Sequence, residues 1–140
     1  QNFHIDLGKA KIIQSGHTAT IVSYGMGIIW IKDFIAANPS YKESLEIIDL
    51  RTLLPWDKDT IIESIKKTNK LLIINEDNIT GSISGEISAY IAENAFEYLD
   101  APILRLGSLD TPIPFSQKLE KEIYFPIHKI KDSIKKLIEY

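Results

Sequence analysis

The sequence contains no cysteine, which removes disulfide bonds, thiol nucleophiles and cysteine-based metal sites from consideration. It also carries little net charge, −3 at pH 7, so electrostatics gives no reason to expect a nucleic-acid partner. No apolar run approaches the roughly 20 residues that a membrane-spanning helix needs. What remains is 140 residues with 44% apolar and 25% charged side chains, which is typical of one ordinary globular domain.

The start of the chain lacks the basic residues and the long apolar region of a signal peptide. Residues 1–7 instead resemble the interior of a longer polypeptide. We therefore expect residues 1–7 to be a tail or linker from a preceding domain, and residues 8–140 to form one domain.

Strand-like and helix-like segments alternate along the chain. Runs rich in β-branched and other apolar residues predict strands at 8–14, 19–24, 45–50, 70–75 and 103–106. Helical spacing of apolar residues predicts helices at 28–38, 58–67 and 83–96, a short one at 117–122, and a last one opened by Pro126. This alternation predicts an α/β fold, with a mainly parallel sheet and helices on both faces. The last helix should bury a stripe of Ile127, Ile130, Ile134, Leu137 and Ile138.

The segment 45–60 shows this organisation most clearly. Its apolar run ends in polar Asp49 and Arg51, Pro55 then excludes a helix before it, and Asp57 is placed to cap the helix that follows. We expect Asp49 and Arg51 to pair with neighbours at the strand end.

In an open parallel sheet, ligands bind beyond the carboxyl ends of the strands. The residues at those ends mix acids, glycines, a base and a tyrosine, at 24–25, 49–51, 75–77 and 107–110. They could form a polar crevice, but strand termini and helix caps require polar residues in any such sheet. We favour this structural interpretation.

Two turns deserve comparison with anion-binding loops. Gly25-Met26-Gly27 lacks the third glycine of a dinucleotide loop, because Trp30 stands at that position, so a plain strand-to-helix turn is favoured. At the start of the third helix, capping by Thr80 or Ser82 is favoured over an anion site.

No histidine is assigned to catalysis or to a metal, because no carboxylate or serine stands near His4, His17 or His128 at the spacing of a catalytic or metal-binding motif. A phosphoacceptor receiver domain has a similar size and layout and would use Asp49. It also needs an acidic pair after an early strand, where residues 23–25 offer none. A stand-alone ligand-binding or receiver-like module stays as an alternative, and it predicts an anion at the strand ends.

Several motifs follow one another in a fixed order. They are Gly-x-x-x-Thr-x-Val-x-x-Gly at 16–25, Ile-Asp-Leu-Arg-Thr-Leu-Leu-Pro-Trp-Asp-x-Asp-Thr-Ile at 48–61, and the segments 67–73, 80–87, 100–105 and 110–114. Over residues 8–140 the chain thereby resembles the C-terminal, transketolase-type domain of the beta subunits of thiamine-dependent 2-oxo acid dehydrogenases. Pro55-Trp56-Asp57 and Asp110-Thr111-Pro112 favour the branched-chain (2-oxoisovalerate) enzyme over pyruvate or acetoin relatives.

The resemblance implies a three-layer α/β/α sandwich with a five-stranded, mostly parallel sheet of order 1-3-2-4-5, whose first strand is antiparallel. The whole enzyme uses thiamine diphosphate and magnesium to decarboxylate a 2-oxo acid, and passes the acyl group to lipoyl. Other domains hold the cofactor, so the resemblance implies no catalytic, cofactor-binding or metal residue here and an inactive isolated chain. The expected compartment is the bacterial cytoplasm or the mitochondrial matrix.

In that family this domain serves subunit assembly and docking of the dihydrolipoyl acyltransferase's subunit-binding domain. The docking candidates are Asp110 and the carboxylate of Tyr140, which could meet a basic surface. Trp30 and Phe34 make the first helix apolar nearly all round, which indicates contact with another domain or subunit, including a fused alpha part. Ser82 and Ile83 replace the usual Gly-Phe, which argues against an anion role for that turn.

Overall fold

The structure is a computed structural model that describes residues 4–140. Within that range five strands form one sheet: β1 Lys11–Gln14, β2 Ala19–Ser23, β3 Leu45–Asp49, β4 Leu71–Asn78 and β5 Leu104–Ser108. Their order is β1-β3-β2-β4-β5, with β1 antiparallel to β3 and all other pairs parallel. The predicted order and the antiparallel first strand are confirmed.

Among the described residues five α-helices accompany the sheet: α1 Met26–Ala37, α2 Lys58–Thr68, α3 Ile83–Asn94, α4 Gln117–Leu119 and α5 Ile130–Glu139. Because successive side chains of a strand point to opposite faces, β4 gives Leu72 and Ile74 to the core under α1 and α5. It gives Leu71 and Ile73 to the core under α2 and α3. The predicted three layers are therefore present. No helix within the described residues is long and apolar enough to cross a bilayer.

The last helix begins later than predicted. Pro126 opens a 3₁₀ turn, Ile127–Lys129, and α5 follows it. A 3₁₀ turn has about three residues per turn, so Ile127 falls out of phase with the buried stripe and remains exposed. Including Ile127 in the stripe was wrong, whereas Ile130, Ile134 and Leu137 are buried as expected.

The first helix is covered more fully by this chain than its composition suggested. Trp30 is only 6% exposed, and its ring lies 5.0 Å from that of Phe125. Phe34 is half-buried and lies 5.4 Å from Tyr41, centroid to centroid. The burial of Trp30 is therefore accounted for by this chain, and contact of α1 with another domain or subunit stays a prediction. The apolar groups of α1 that remain exposed are Met26 and Ile29.

The two helix starts differ from each other. Asp57 caps α2 as predicted: its Oδ1 accepts from the Thr60 backbone N–H at 3.1 Å. At α3 the prediction was wrong, because no side chain caps the helix. Ser82 donates its hydroxyl to the Ile79 carbonyl at 3.3 Å, and Thr80 is bonded to Asp110.

Candidate functional site

A cavity of about 440 Å³ lies beyond the carboxyl ends of β4 and β5. Its lining comprises polar and apolar residues of both strand ends and of the later loop: Asp77, Asn78, Thr80, Asp110, Thr111, Pro112, Ile113 and Tyr124. Two of the four predicted strand-end groups, 75–77 and 107–110, thus come together. The group 49–51 lies at the end of β3, which β2 separates from β4. There the Asp49 side chain accepts a hydrogen bond from the backbone N–H of Arg51 at 3.1 Å.

Asp110 joins the two sides of this cavity. Its Oδ1 accepts from the Thr80 backbone N–H at 3.0 Å, and its Oδ2 accepts from the Thr80 hydroxyl at 2.6 Å. A second link runs from the Asn78 side-chain amide, which donates to the Thr111 carbonyl at 3.2 Å. The loop after β5 is therefore tied at two points to the segment after β4.

The hydrogen-bonding groups of the cavity are unevenly used. The side-chain donors of Thr80, Asn78 and Tyr124 all donate to acceptors of the site itself, with Tyr124 bonding Asn78 Oδ1 at 2.8 Å. The carboxylates of Asp77 and Asp110 each retain lone pairs, because an ionised carboxylate has about four acceptor positions. The cavity thus offers acceptors and negative charge, which suits a cation that carries several N–H donors.

The titration behaviour of the neighbouring groups reflects this negative charge. Burial raises the pKa of the Tyr124 hydroxyl, and the charges of Asp77 and Glu120 raise it further. Burial, Asp77 and Glu76 likewise raise the pKa of Tyr24. The hydrogen bonds from Thr80 lower the pKa of Asp110, so its charged form is the stabilised one. Both tyrosines therefore remain neutral donors at physiological pH.

A carboxylate lies beside the start of α1 at the same edge of the sheet. Gly25 has φ of +54°, and a Cβ added there would lie 2.9 Å from Glu76 Oε1. The negative charge of Glu76 next to this helix start disfavours an anion there. Gly25-Met26-Gly27 is a strand-to-helix turn, as the sequence predicted.

Tyr140 lies at the other end of the sheet from Asp110. It lines an apolar groove with Phe96, Pro102 and Ile103, before the start of β5, whereas Asp110 follows its end. A strand of five residues spans roughly 17 Å. The structure therefore does not bring the two docking candidates, Asp110 and Tyr140, into one site.

A second group of charges, around Glu46 on β3, is accounted for within the chain. Glu46 is 1% exposed, accepts from Ser64 at 2.6 Å, and forms an ion pair with Lys67. Burial alone would raise the pKa of Glu46, but the hydrogen bonds from Lys67, Ser64 and Gly16 outweigh it and lower the pKa. This cluster ties α2 to β3 and to the turn before β2, which is a structural role.

Two observations concern the histidines and a possible metal site. His4 is exposed and lies 3.0 Å from the carboxylate of Asp6. Among residues 4–140 no group of three or more histidine, aspartate or glutamate side chains is arranged to hold a metal ion. Local sequence reasoning missed Thr80 as a partner of Asp110, and it missed Tyr124 altogether. Tyr124 reaches Asn78 across 46 positions of the chain, and no pattern of neighbouring residues signals such a contact.

Comparison with known proteins gives three findings. Residues 8–130 match the family profile described as "Transketolase, C-terminal domain". The chain is 40% identical over 141 residues to a mitochondrial 2-oxoisovalerate dehydrogenase subunit beta from Dictyostelium discoideum. That match includes 99% of this chain and 37% of the other protein. The chain is 38% identical over 134 residues to a pyruvate dehydrogenase E1 component subunit beta from Rhizobium meliloti (strain 1021), in a match that includes 96% of this chain and 29% of the other protein. The chain thus spans less than half the length of these relatives.

Among solved structures, the chain resembles a split-gene transketolase described as an inactive beta4 tetramer. The TM-score is 0.80 and the sequence identity 16%, and the match covers 99% of this chain and 44% of the other. At this identity the likeness establishes the fold alone, and it agrees with the three layers and the strand order described above.

Proposed function

The chain belongs to the transketolase C-terminal domain family, and from this premise we propose that it is the assembly and docking domain of a 2-oxo acid dehydrogenase. The names of two relatives, both beta subunits of such dehydrogenases, support the enzyme class. In this proposal the oxidative decarboxylation is carried out by the whole enzyme, in the bacterial cytoplasm or the mitochondrial matrix. The family assignment also accounts for the size and the strand-helix layout that suggested a receiver-like module.

The proposed substrate is a branched-chain 2-oxo acid, with pyruvate as the alternative. Two motifs support the branched-chain substrate: Pro55-Trp56-Asp57 and Asp110-Thr111-Pro112. The sequence identities of 40% and 38% to the two kinds of relative are too similar to distinguish the two substrates. The rings of Trp56 and Tyr90 pack edge to face with their centroids 5.3 Å apart. In our proposal this motif therefore indicates the subfamily and does not contact the substrate. The ratio of kcat/KM for 2-oxoisovalerate and pyruvate, measured on the complete complex, decides between them.

The cofactor is assigned to other domains of the enzyme. Thiamine diphosphate brings a negatively charged diphosphate with magnesium, whereas the strand-end edge of this chain presents Glu76, Asp77 and Asp110. The residues present do not fit such a group: within residues 4–140 no three acids or histidines are arranged to hold the magnesium ion, and without that ion these carboxylates repel a diphosphate. No step of the reaction is therefore assigned to a residue of this chain.

Docking of a basic partner is the role that the cavity supports best. The observation that carries it is the pair of carboxylates, Asp77 and Asp110, in a cavity where Thr80, Asn78 and Tyr124 each donate a hydrogen bond to an acceptor of the site itself. A lysine or arginine of the partner would supply the missing positive charge and N–H groups. We propose the subunit-binding domain of the dihydrolipoyl acyltransferase as that partner.

The test is calorimetric titration of the complete dehydrogenase component with this subunit-binding domain at low and moderate salt. Asp77→Asn and Asp110→Asn should each weaken binding by about tenfold at low salt and reduce its salt dependence. Asp59→Asn, which removes an exposed acid of α2, serves as the control for net charge. Equal affinities for all three variants would contradict the docking proposal.

Tyr140 is tested separately, because it lies at the other end of β5. Deleting Tyr140 should weaken binding only if the partner also spans the apolar groove beside Phe96. An unchanged affinity would remove Tyr140 from the docking surface and leave the role of Asp110 intact.

A further inference from the structure

Two exposed leucines stand near each other where the chain enters the domain. Leu54, in the loop that follows β3, is 94% exposed, and Leu7, in the turn before β1, is 80% exposed. Single exposed apolar residues are common on protein surfaces, so exposure alone assigns no role. The position of these two leucines is informative because the segments that carry them are in contact. We call residues 51–55 the β3 loop.

The segment before β1 is fixed to the β3 loop. The Gly8 backbone N–H donates to Thr52 Oγ1 at 2.9 Å, and the Thr52 hydroxyl donates to the Pro55 carbonyl at 2.8 Å. A Cβ at Gly8 would lie 3.1 Å from Pro55 Cγ, and the φ of +71° there favours glycine. Leu7 adjoins Gly8 and Leu54 adjoins Pro55, so both exposed leucines belong to one surface.

A cation stands at the other end of the β3 loop. Arg51 is exposed and has φ of +60°, a left-handed conformation that is unfavourable for a residue with a side chain. The Asp49 carboxylate stabilises this conformation by accepting from the Arg51 backbone N–H at 3.1 Å. In the part of the chain that the structure describes, the Arg51 guanidinium belongs to no ion pair. The β3 loop therefore presents a guanidinium and a leucine outward from a fixed backbone.

The connection of the chain selects the occupant of this surface. Residues 8–130 match a profile for a C-terminal domain, and the matches include only 37% and 29% of the two relatives described above. A domain joined ahead of residue 1 would be tethered through residues 1–7, which span at most about 25 Å when fully extended. Such a tether holds that domain at a high effective concentration beside the β3 loop.

Charge disfavours two other occupants. A twofold contact centred on the β3 loop would place Arg51 near its own equivalent in a second copy, and like charges repel. A basic partner is disfavoured for the same reason, which distinguishes this surface from the acidic cavity at the ends of β4 and β5. The fitting partner surface has an apolar depression and an acidic group at its rim.

We propose that the β3 loop is the contact surface for the preceding domain of the parent chain. Leu54 fills an apolar depression of that domain, and Arg51 pairs with one of its carboxylates. This inference rests on the assembly part of the proposed function and names the partner of that assembly within the same polypeptide. The surface is separate from the proposed docking cavity, because β2 lies between β3 and β4.

Hydrogen–deuterium exchange of the β3 loop tests the proposal. The exchange is compared between the isolated chain, the complete parent chain alone, and the parent chain assembled in the dehydrogenase component. The Leu53 and Leu54 amides should exchange about tenfold more slowly in the parent chain alone, because a domain seated on the loop excludes water. Equal exchange in the isolated chain and the parent chain would overturn the inference.

Two exposed leucines provide a matched pair of variants. In the parent chain, Leu54→Asp should restore exchange of the β3 loop to within about twofold of the isolated chain, because the contact would bury an unpaired carboxylate. Leu119→Asp is the control, since Leu119 is also exposed but lies on α4, beyond β5. Protection that survives Leu54→Asp, or that is lost equally in Leu119→Asp, would remove Leu54 from the contact.

The charge of Arg51 is tested with a second pair. Arg51→Gln should reduce the protection of the loop several-fold at low salt and less at moderate salt, because salt screens the lost ion pair. Arg51→Lys keeps the charge and should retain most of the protection. An equal loss in both variants at both salt concentrations would show that charge does not contribute.

The outcomes separate this inference from the proposed function. If the loop is unprotected while the complete component decarboxylates a 2-oxo acid and binds the acyltransferase, the inference alone is wrong. If the loop is protected in a component that does neither, the proposed function alone is wrong. Protection that appears only after other subunits are added would assign the loop to a subunit contact. Protection that rises with the concentration of the isolated chain would assign it to a second copy, and either result overturns the inference.

Discussion

At the scale of single residues, carboxylates hold together segments that are far apart in the chain. Asp57 Oδ2 accepts from the Ala10 backbone N–H at 3.0 Å and so joins the segment before β1 to the start of α2. Asp110 does the same for the ends of β4 and β5. Backbone N–H groups without a partner in regular structure need such acceptors, and a carboxylate can serve several at once.

The Asp57 interactions predict a pH-dependent stability. Burial would raise the pKa of Asp57, but hydrogen bonds from Ala10 and Thr60 outweigh it and hold the pKa below its usual value. A carboxyl whose folded pKa is lowered stabilises the protein above its unfolded pKa of about 4, and this contribution is lost as the pH falls through the folded pKa. Asp57→Asn removes the charge and one of the two acceptor oxygens, so it should cost about 1 kcal/mol at pH 7 and progressively less below pH 4.

Urea unfolding at pH 7 and pH 3 measures this difference, with Asp59→Asn as the control for an exposed acid in the same helix turn. A stability gap between wild type and Asp57→Asn that is the same at both pH values would show that the carboxylate charge is not the source.

At the scale of elements, α1 and α3 each carry a glycine in the first turn, but for different reasons. A Cβ at Gly27 would lie 2.1 Å from Ser23 Oγ and 3.3 Å from the Ile74 carbonyl oxygen. The glycine thus lets α1 approach β2 and β4 closely, and it leaves room for the Ser23 hydroxyl to donate to the Ile74 carbonyl at 2.7 Å. At Gly85 the nearest atom is the Arg105 guanidinium at 3.4 Å, a side-chain end that can move away.

Substituting alanine at these two positions should have opposite effects. Gly27→Ala forces α1 away from the sheet and should destabilise the protein by about 3 kcal/mol, as overpacking does. Gly85→Ala fits its site and should leave stability unchanged or raise it by up to about 1 kcal/mol, because alanine has the higher helix propensity. Urea midpoints of the two variants measure the effects. Similar midpoints would contradict the close approach at Gly27.

At the scale of the whole molecule, both faces of the sheet are covered by helices of the same chain. Ile28, Ile31 and Ile134 close one face, and Ile61 and Ile87 close the other. Each of the five side chains is no more than 6% exposed, so the core is complete within the described residues. This closure is the physical requirement for a domain that folds without its neighbours.

The two tryptophans provide a test of this independence, because they belong to opposite layers. Trp30 lies in the core under α1 and α5, and Trp56 packs against the core under α2 and α3. In the 140-residue chain alone, Trp56→Phe and Trp30→Phe each leave one reporter. Each variant's fluorescence transition in urea should coincide with its circular-dichroism transition, as expected for one cooperative unit. Separate transitions would mean that the two layers unfold independently.

The sequence by itself determined most of the fold. The β-branched and apolar runs of the strands indicated strands that are buried on both faces, and the helical stripes, such as Ile87 and Ile91, indicated helices with one buried face. The α2 cap at Asp57 was predictable, since a cap depends on residues a few positions apart. The strand order followed from resemblance, because periodicity alone does not say which strands pair.

Only the tertiary structure decided the surface. It buried Trp30 under Phe125, separated Tyr140 from Asp110, and turned Thr80 from a helix cap into the partner of Asp110. Each result concerns the relative position of residues that are distant in sequence, and local patterns carry no information about such positions. The exposure of Ile113 and Phe115 is a result of the same kind, because whether an apolar side chain is core or surface depends on what folds over it.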